Sequence, residues 1–232
     1  MTDITLVVFD MAGTTIKDDG QVPRAFAEAL SRQGISASVE ALNRVRGSSK
    51  RHAIQQFIPE GPDRGKQTEN AYTVFKATLA SAYQSEGVVP IPGSRETFEW
   101  LRSRGITVAL NTGFDRDITE LLITSLGWQH DVVDVIVSGD DVKRGRPAPD
   151  LILRAMELTG TPGPESVASV GDTMLDLQAG HAARVRWNIG VLSGAHRREQ
   201  LAGEPHTHLL PSVADLPGLW ESWSPRATSP DI

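Results

Sequence analysis

The segment VVFDMAGTT, residues 7–15, sets the architecture expected for the whole chain. Three apolar residues run directly into Asp10, and the chain then turns through Ala12 and Gly13 into two threonines. This order is typical of a buried strand that ends at a functional site, because ligands collect at the carboxyl ends of the strands in an open α/β sheet. The segment offers a single carboxylate, since alanine stands two positions after Asp10.

The composition is that of a globular protein without a basic face. The 232 residues are 39% hydrophobic and 22% charged, and the net charge is −6. This charge disfavours nucleic acid as a partner, and no run of about 18 apolar residues indicates a membrane span. The start MTDITLVVFD lacks the pattern of a signal peptide, so we expect a cytoplasmic protein. The chain has no cysteine, which excludes disulfides and thiolate chemistry.

Further apolar runs follow at intervals that suit a parallel sheet. They are ITVAL (106–110), VVDVIVS (132–138), SVASV (166–170), WNIGVL (187–192) and, more weakly, HLL (208–210). Stretches with helical spacing separate the middle runs, which predicts a Rossmann-like α/β core with helices on both faces of a parallel sheet. Asp10, Thr112 and Asp172 stand at predicted strand ends, and we expect them to lie close together.

The alternation stops after the first strand, where the chain has only helical patterns. These patterns occur in VPRAFAEALSRQG, SVEALNRVRG, SKRHAIQQFI and a long stretch over 67–84. We expect residues 17–87 to form an all-helical cap domain that acts as a lid over the strand ends, with 1–16 and 88–223 as the core domain. The polar tail 224–232 is expected to be disordered.

Four motifs in order give the core a family resemblance. They are DMAGT at the first strand end, a threonine after the second core strand, RPAPD before a helix, and GDTMLD after the next strand. This series resembles the haloacid dehalogenase superfamily, which implies its α/β core with an inserted cap of type C1. The form DxAGT with arginine in RPAP resembles the phosphonoacetaldehyde hydrolases (phosphonatases). That resemblance implies a small phosphorylated or phosphonate metabolite as substrate and a homodimer paired through the cap.

The resemblance gives the carboxylates distinct roles. Asp10 would be the nucleophile that accepts a phosphoryl group. Asp10, Asp172 and the main-chain carbonyl of Ala12 would bind Mg²⁺ directly, and Asp176 would complete the metal site from behind these ligands or through a water molecule. From the residues alone, Asp172 has a second interpretation, as the cap of the helix that starts at Thr173.

Other motif residues would hold the substrate and orient the nucleophile. Arg146 would orient Asp10 and offset the charge of the carboxylates, although a surface arginine is the plainer interpretation. The hydroxyl of Thr112 and the amide of Gly113 would donate to phosphate oxygens, and Thr14 and the amides around Gly13 would do the same from the first loop. Threonine and glycine are also ordinary turn residues after a strand.

Ala12 bears on the type of bond that is cleaved. In phosphatases of the superfamily this position holds a second aspartate, which protonates the leaving oxygen. Without such an acid, a phosphate ester with a poor leaving group loses a factor of about 10² to 10⁴ in rate. The sequence therefore predicts that the leaving group is activated in another way.

Lys50 is the candidate for that activation. It follows Gly47 by three residues, as the cap lysine of phosphonatases does, and it would form a Schiff base with an aldehyde so that a carbon–phosphorus bond can break. The two intervening residues are serines, and His52 lies two residues beyond the lysine where the family has a histidine three beyond. A simple grip on the substrate and a solvated surface lysine are the alternatives.

Three functional hypotheses follow. The first is Mg²⁺-dependent cleavage of a carbon–phosphorus bond in phosphonoacetaldehyde or a relative. The second is a phosphomonoesterase or phosphomutase that acts on a small phosphorylated metabolite. The third is a catalytically silent binding module, which the set of three carboxylates disfavours. Dehalogenation is disfavoured as well. The resemblance implies a site without metal for that chemistry, whereas GDTMLD supplies metal ligands.

Overall fold

The structure is a computed structural model and describes residues 4–129 and 131–223. The tail 224–232, for which the sequence predicts disorder, lies outside the described residues. The rest forms a parallel sheet with helices on both faces and a helical insertion after the first strand, so the predicted α/β fold is confirmed.

The sheet has the order β3-β2-β1-β4-β5-β6, and each neighbouring pair is parallel. The strands are β1 (Leu6–Asp10), β2 (Thr107–Asn111), β3 (Val135–Val137), β4 (Val167–Gly171), β5 (Trp187–Val191) and β6 (His208–Leu210). The predicted runs are confirmed within one residue, except that β3 is much shorter than VVDVIVS. Val132 and Val133 are buried in a turn, in which both amides donate to the carbonyl of Gln129.

The helices alternate with the strands after residue 93. They are α1 (Gln21–Ser31), α2 (Val39–Arg44), α3 (Lys50–Phe57), α4 (Arg64–Glu86), α5 (Ser94–Arg102), α6 (Arg116–Leu126), α7 (Asp150–Thr159), α8 (Met174–Ala182), α9 (Arg198–Ala202) and α10 (Leu216–Trp223). Within the described residues, none of these helices combines the length and the apolar character needed to cross a membrane.

The strand β1 is buried on both faces, as expected for the centre of a parallel sheet. Leu6 and Val8 belong to the hydrophobic cluster formed with α7 and α8. Val7 and Phe9 point to the opposite face, where the ring of Phe9 lies 5.2 Å from that of Phe98 in α5. This packing fixes β1 in the middle of the sheet and places Asp10 at its carboxyl end.

The insertion, α1 to α4, packs around aromatic side chains. Phe26 of α1 contacts Phe75 of α4 and Phe57 of α3, with ring centroids 5.4 Å and 6.3 Å apart. The two connections to the sheet run side by side, since the amide of Lys17 donates to the carbonyl of Val89 at 2.9 Å. The limits 17–87 for a separate cap domain stay a prediction.

Candidate active site

The loop after β1 brings Asp10 next to a second strand end. The amides of Thr15 and Ile16 both donate to the carbonyl of Met11, which folds residues 11–16 into a tight turn. Gly13 has a φ of 95°, and a Cβ atom there would lie 2.3 Å from Oδ2 of Asp172. Glycine is therefore required for the loop to pass this carboxylate.

Asp10, Asp172 and Asp176 form one buried cluster. Each offers a carboxylate oxygen, and these oxygens all lie within 4.8 Å of one another. Asp172 accepts hydrogen bonds from the hydroxyl of Thr14 at 3.1 Å and from the amide of Ala195 at 2.6 Å. This geometry brings together the three carboxylates that the motifs predict.

The cap of α8 is Thr173 and not Asp172. The hydroxyl of Thr173 accepts from the amide of Asp176 at 3.2 Å, and the carboxylate of Asp176 accepts from the amide of Thr173 at 3.0 Å. The two residues thus form a capping box, which satisfies amides at the start of the helix. The interpretation of Asp172 as the helix cap is wrong, and its carboxylate faces Asp10 instead.

Arg146 links two of the three carboxylates. Its Nη1 lies 2.6 Å from Oδ1 of Asp10, and its Nε lies 2.8 Å from Oδ1 of Asp176. Its Nη2 donates to the side chain of Asn111 at the end of β2. Arg146 is 5% exposed, so the interpretation as a surface arginine is wrong. Burial acts to lower its pKa, but the charges of Asp176 and Asp10 outweigh burial and raise the pKa, which keeps Arg146 protonated.

The cluster carries more negative charge than Arg146 neutralises. Burial raises the pKa of Asp172 to about 8, and the neighbouring charges of Asp10 and Asp176 add to the effect. Burial also raises the pKa of Asp176 to about 6, against the opposing charge of Arg146. Three buried carboxylates that share the one positive charge of Arg146 offer the oxygen donors that a hard divalent cation prefers, so the site suits such a metal ion.

Lys50 lies at the start of α3 and is 7% exposed. Its Nζ donates to the carbonyl of Ser48 at 3.1 Å and lies 5.2 Å from the centre of the Phe114 ring. Burial lowers its pKa to about 8, and the charge of Asp10 acts in the opposite direction. The interpretation of Lys50 as a solvated surface lysine is therefore wrong.

A small cavity of about 30 Å³ joins the residues of the predicted site. It is lined, among others, by Asp10, Ala12, Lys50, Thr112, Arg146 and Asp172. This volume is small beside the volume of about 300 to 1,000 Å³ that is typical of ligand pockets. A substrate therefore needs more room at the site than this cavity provides.

The predicted phosphate-binding residues fall into two groups. Thr112 and Gly113 line the cavity, and the hydroxyl oxygen of Thr112 accepts from the amide of Phe114 at 3.1 Å, so its proton remains free to donate. Gly13 and Thr14 do not line it, and the hydroxyl of Thr14 is directed to the carboxylates. Their role in substrate binding stays a prediction.

The insertion closes on the core along a line of close contacts, here called the seam. It comprises residues 47–50 of the insertion and, from the core, Gly113, Gly145, Arg146 and Thr173. The amide of Lys50 donates to the carbonyl of Gly113 at 3.2 Å, and Arg146 donates to the carbonyl of Gly47 at 3.1 Å. A Cβ atom on Gly113 would lie 2.4 Å from the carbonyl oxygen of Ser48, so only glycine permits this approach.

Asp18 and Arg46 also line the cavity, and the motifs gave no sign of them. Nη2 of Arg46 lies 2.5 Å from Oδ2 of Asp18, whose side chain is 3% exposed. The other oxygen of Asp18 accepts from the amides of Gly20 and Val22 at the start of α1. An aspartate just before a helix is a recognisable cap, but its pairing with an arginine 28 positions away has no local signal.

A family model described as haloacid dehalogenase-like hydrolase matches residues 4–184. The chain belongs to this family. Phosphonoacetaldehyde hydrolase of Bacteroides fragilis is 29% identical over 227 residues, which cover 92% of this chain and 84% of the relative. Phosphonoacetaldehyde hydrolase of Bacillus cereus (strain G9842) is 30% identical over 206 residues, which cover 83% and 77%. The chain is therefore an enzyme of the hydrolase class.

Solved structures show the same fold as this haloacid dehalogenase-like hydrolase. A hydrolase from Pseudomonas syringae matches with a TM-score of 0.84 and 22% identity, over 95% of this chain and all of the other. A phosphonoacetaldehyde hydrolase-like protein from Oleispira antarctica matches with a TM-score of 0.82 and 22% identity, over 94% and 92%. At this level of identity the likeness shows the fold alone.

Proposed function

We propose that this enzyme hydrolyses the carbon–phosphorus bond of phosphonoacetaldehyde or a closely related phosphono-aldehyde, with Asp10 as nucleophile, Lys50 as Schiff-base former and Mg²⁺ as cofactor. One observation carries the proposal. A buried amine and a buried carboxylate line the same cavity, while position 12, from which a second aspartate would protonate a leaving oxygen, is alanine. The names of the curated relatives support the same substrate class.

The surroundings of Lys50 favour a neutral amine. The Nζ atom contacts a main-chain carbonyl and an aromatic ring, and no ion pair with a carboxylate is found for it among the described residues. Because burial lowers its pKa to about 8, roughly a tenth of the amine is unprotonated at neutral pH. A neutral amine is the form that attacks an aldehyde carbon.

The reaction balances in four steps. The amine nitrogen of Lys50 attacks the aldehyde carbon, and water leaves to give a protonated imine. An oxygen of Asp10 then attacks phosphorus, and the electron pair of the carbon–phosphorus bond moves toward the imine nitrogen and leaves an enamine. Protonation of the enamine carbon and hydrolysis of the imine release acetaldehyde, and a second water cleaves the aspartyl phosphate. One water is consumed overall, and phosphate is the other product.

The remaining site residues would orient the reacting groups and neutralise the charge of the phosphonate. Asp10, Asp172 and the main-chain carbonyl of Ala12 would hold Mg²⁺, which supplies positive charge to the phosphonate oxygens when bound. One oxygen of Asp176 is bound by the guanidinium of Arg146 and the other by Thr173, and the family resemblance would give this residue a water-mediated role.

Positioning falls to the groups around the nucleophile. Arg146 holds one oxygen of Asp10 at 2.6 Å, so the other oxygen is the one that faces phosphorus. The hydroxyl of Thr112 and the amide of Gly113 would donate to the oxygens of the phosphonate. Residues 17–87 would act as the lid, since a cavity of about 30 Å³ has no room for a substrate until the seam opens.

The test compares the native enzyme with Lys50→Arg, which keeps the charge but forms no stable imine. We expect phosphate release from phosphonoacetaldehyde in the presence of Mg²⁺, its loss in Lys50→Arg, and a borohydride-trapped adduct on the peptide that contains Lys50. A native enzyme that is inert on this substrate, or trapping without an adduct on Lys50, overturns the proposal. Turnover of phosphate esters that survives Lys50→Ala would then favour a phosphomonoesterase or phosphomutase.

The quaternary structure also remains a prediction from the family resemblance. The resemblance to phosphonatases predicts a homodimer paired through the insertion. Light scattering of the purified protein at micromolar concentration measures its mass directly. A mass near 25.1 kDa, the value for one chain, would contradict the dimer.

A further inference from the structure

A second cavity, of about 690 Å³, lies along the seam. It shares Gly113 and Arg146 with the small catalytic cavity, and Ser48 and Ser49 of the seam form part of its wall. We call it the basic groove, because its walls include Arg44, Arg51 and His52 from the insertion and Lys143 and Arg144 from the loop before α7.

Most of the charged groups in the basic groove are already paired. Arg144 lies 2.8 Å from Asp150, and Arg51 lies 3.4 Å from Glu69. Of the two acidic residues of the wall, Asp115 is paired, since it lies 3.0 Å from Lys76, whereas Asp140 accepts from the neutral amide of Arg116 and keeps its negative charge.

Two cations remain. Arg44 at the end of α2 and Lys143 in the core loop are both exposed, and neither has a carboxylate within 4.0 Å among the residues that the structure describes. One comes from the insertion and the other from the core. These two cations outnumber the carboxylate of Asp140, so the groove keeps a positive charge in a protein whose net charge is −6. Such a local field raises the concentration of anions at the groove.

We propose that the basic groove is a docking site for a phosphonate or phosphate dianion, with Arg44 and Lys143 as the residues that attract it before the seam opens. The closed catalytic cavity has no room for such a group, whereas the groove has ample room and shares two wall residues with it. The identity of the substrate rests on the proposed function. The docking of a phospho-anion does not.

The kinetic test uses the double variant Arg44→Gln/Lys143→Gln and any phosphorylated substrate or phosphonate that the native enzyme turns over. At low salt we expect kcat/KM to fall about three- to ten-fold with kcat retained, because the variant lacks two of the positive charges that attract a dianion to the groove. Added salt should lower kcat/KM of the native enzyme more steeply than kcat/KM of the variant. The control Lys66→Gln/Arg198→Gln removes one lysine and one arginine that are exposed and do not line the groove, and it should behave as the native enzyme.

A binding test needs no turnover. Inorganic phosphate is titrated into the Mg²⁺-loaded protein while the amide resonances of residues 142–145 are followed by NMR. We expect shifts that saturate in the native protein and in the control variant and that disappear in Arg44→Gln/Lys143→Gln. Shifts that persist in this variant, or a groove that does not respond, overturn the docking site.

The two proposals fail separately. Phosphate shifts at residues 142–145 without turnover of phosphonoacetaldehyde would keep the docking site and reject the proposed reaction. Turnover with equal kcat/KM and equal salt dependence in the native and double-variant enzymes would keep the reaction and reject the docking site. In that case phosphonate and free phosphate reach the catalytic cavity without this groove.

Discussion

Replacement of Lys50 by methionine should remove the proposed chemistry and stabilise the protein. The pKa of Lys50 falls from an ordinary value of 10.5 to about 8 because the amine is buried. That difference corresponds to a cost of about 3 kcal/mol for holding the charged form in the folded state. The variant also loses the hydrogen bond to the carbonyl of Ser48, which offsets about 1 kcal/mol of the gain in stability. We expect Lys50→Met to raise the free energy of unfolding by about 2 kcal/mol at pH 7.

The sign of the pH dependence follows from the two pKa values of Lys50. Below pH 8 the lysine is protonated in both the folded and the unfolded state, and the cost of burying the charge is fully present. Between pH 8 and 10.5 the unfolded state binds more protons, so the stability of the native protein rises with pH. Above 10.5 both states are neutral, and the advantage of Lys50→Met should have vanished.

Urea denaturation at pH 7, 9 and 10.5 measures these differences. Lys66→Met is the control, because Lys66 is exposed and its replacement should change the free energy of unfolding little at any of these pH values. If Lys50→Met is less stable than the native protein at pH 7, or its advantage does not shrink with rising pH, Lys50 does not hold a desolvated charge. The amine of Lys50 would then be fully protonated at neutral pH and unable to attack an aldehyde.

Three further predictions concern the site. The rate of borohydride trapping at Lys50 should rise with pH and level off above about pH 8; a rise that continues toward pH 10 would contradict the lowered pKa. Gly113→Ala should lower kcat/KM at least about ten-fold with a small change in unfolding free energy, since its Cβ meets the carbonyl of Ser48 only when the seam is closed. Ala12→Asp should gain hydrolysis of phosphate esters and lose phosphonate cleavage, as measured by phosphate release from both substrates; a variant that keeps phosphonate cleavage would contradict this.

The sequence predicts the sheet and its strand ends well because both depend on local patterns. A strand buried on both faces must be apolar throughout, and parallel strands must end at one edge, so Asp10, Thr112 and Asp172 converge once the alternation is recognised. The length of β3 could not be predicted. Val132 and Val133 are as apolar as a strand requires, and only the hydrogen bonds to Gln129 place them in a turn.

The insertion is harder to predict, because exposure there depends on contacts with the core. Lys50, Arg51 and His52 are consecutive and all polar, yet the first is buried and the other two are exposed. Nothing within α3 distinguishes them. Lys50 is covered because Phe114 and Gly113 approach from a loop more than 60 residues away along the chain. The salt bridge between Asp18 and Arg46 has the same origin in tertiary contact.

The alanine at position 12 and the lowered pKa of Lys50 belong to one electrostatic arrangement. The site already holds a cluster of three carboxylates against the guanidinium of Arg146, and the charge of Asp10 acts to raise the pKa of Lys50. A carboxylate at position 12 would line the same cavity and raise that pKa further, which would reduce the fraction of neutral amine at neutral pH. An acid that serves ester hydrolysis would therefore suppress imine formation. On this argument the single carboxylate of VVFDMAGTT is a condition for the lysine chemistry, and the absence of a second acid is compensated from the insertion.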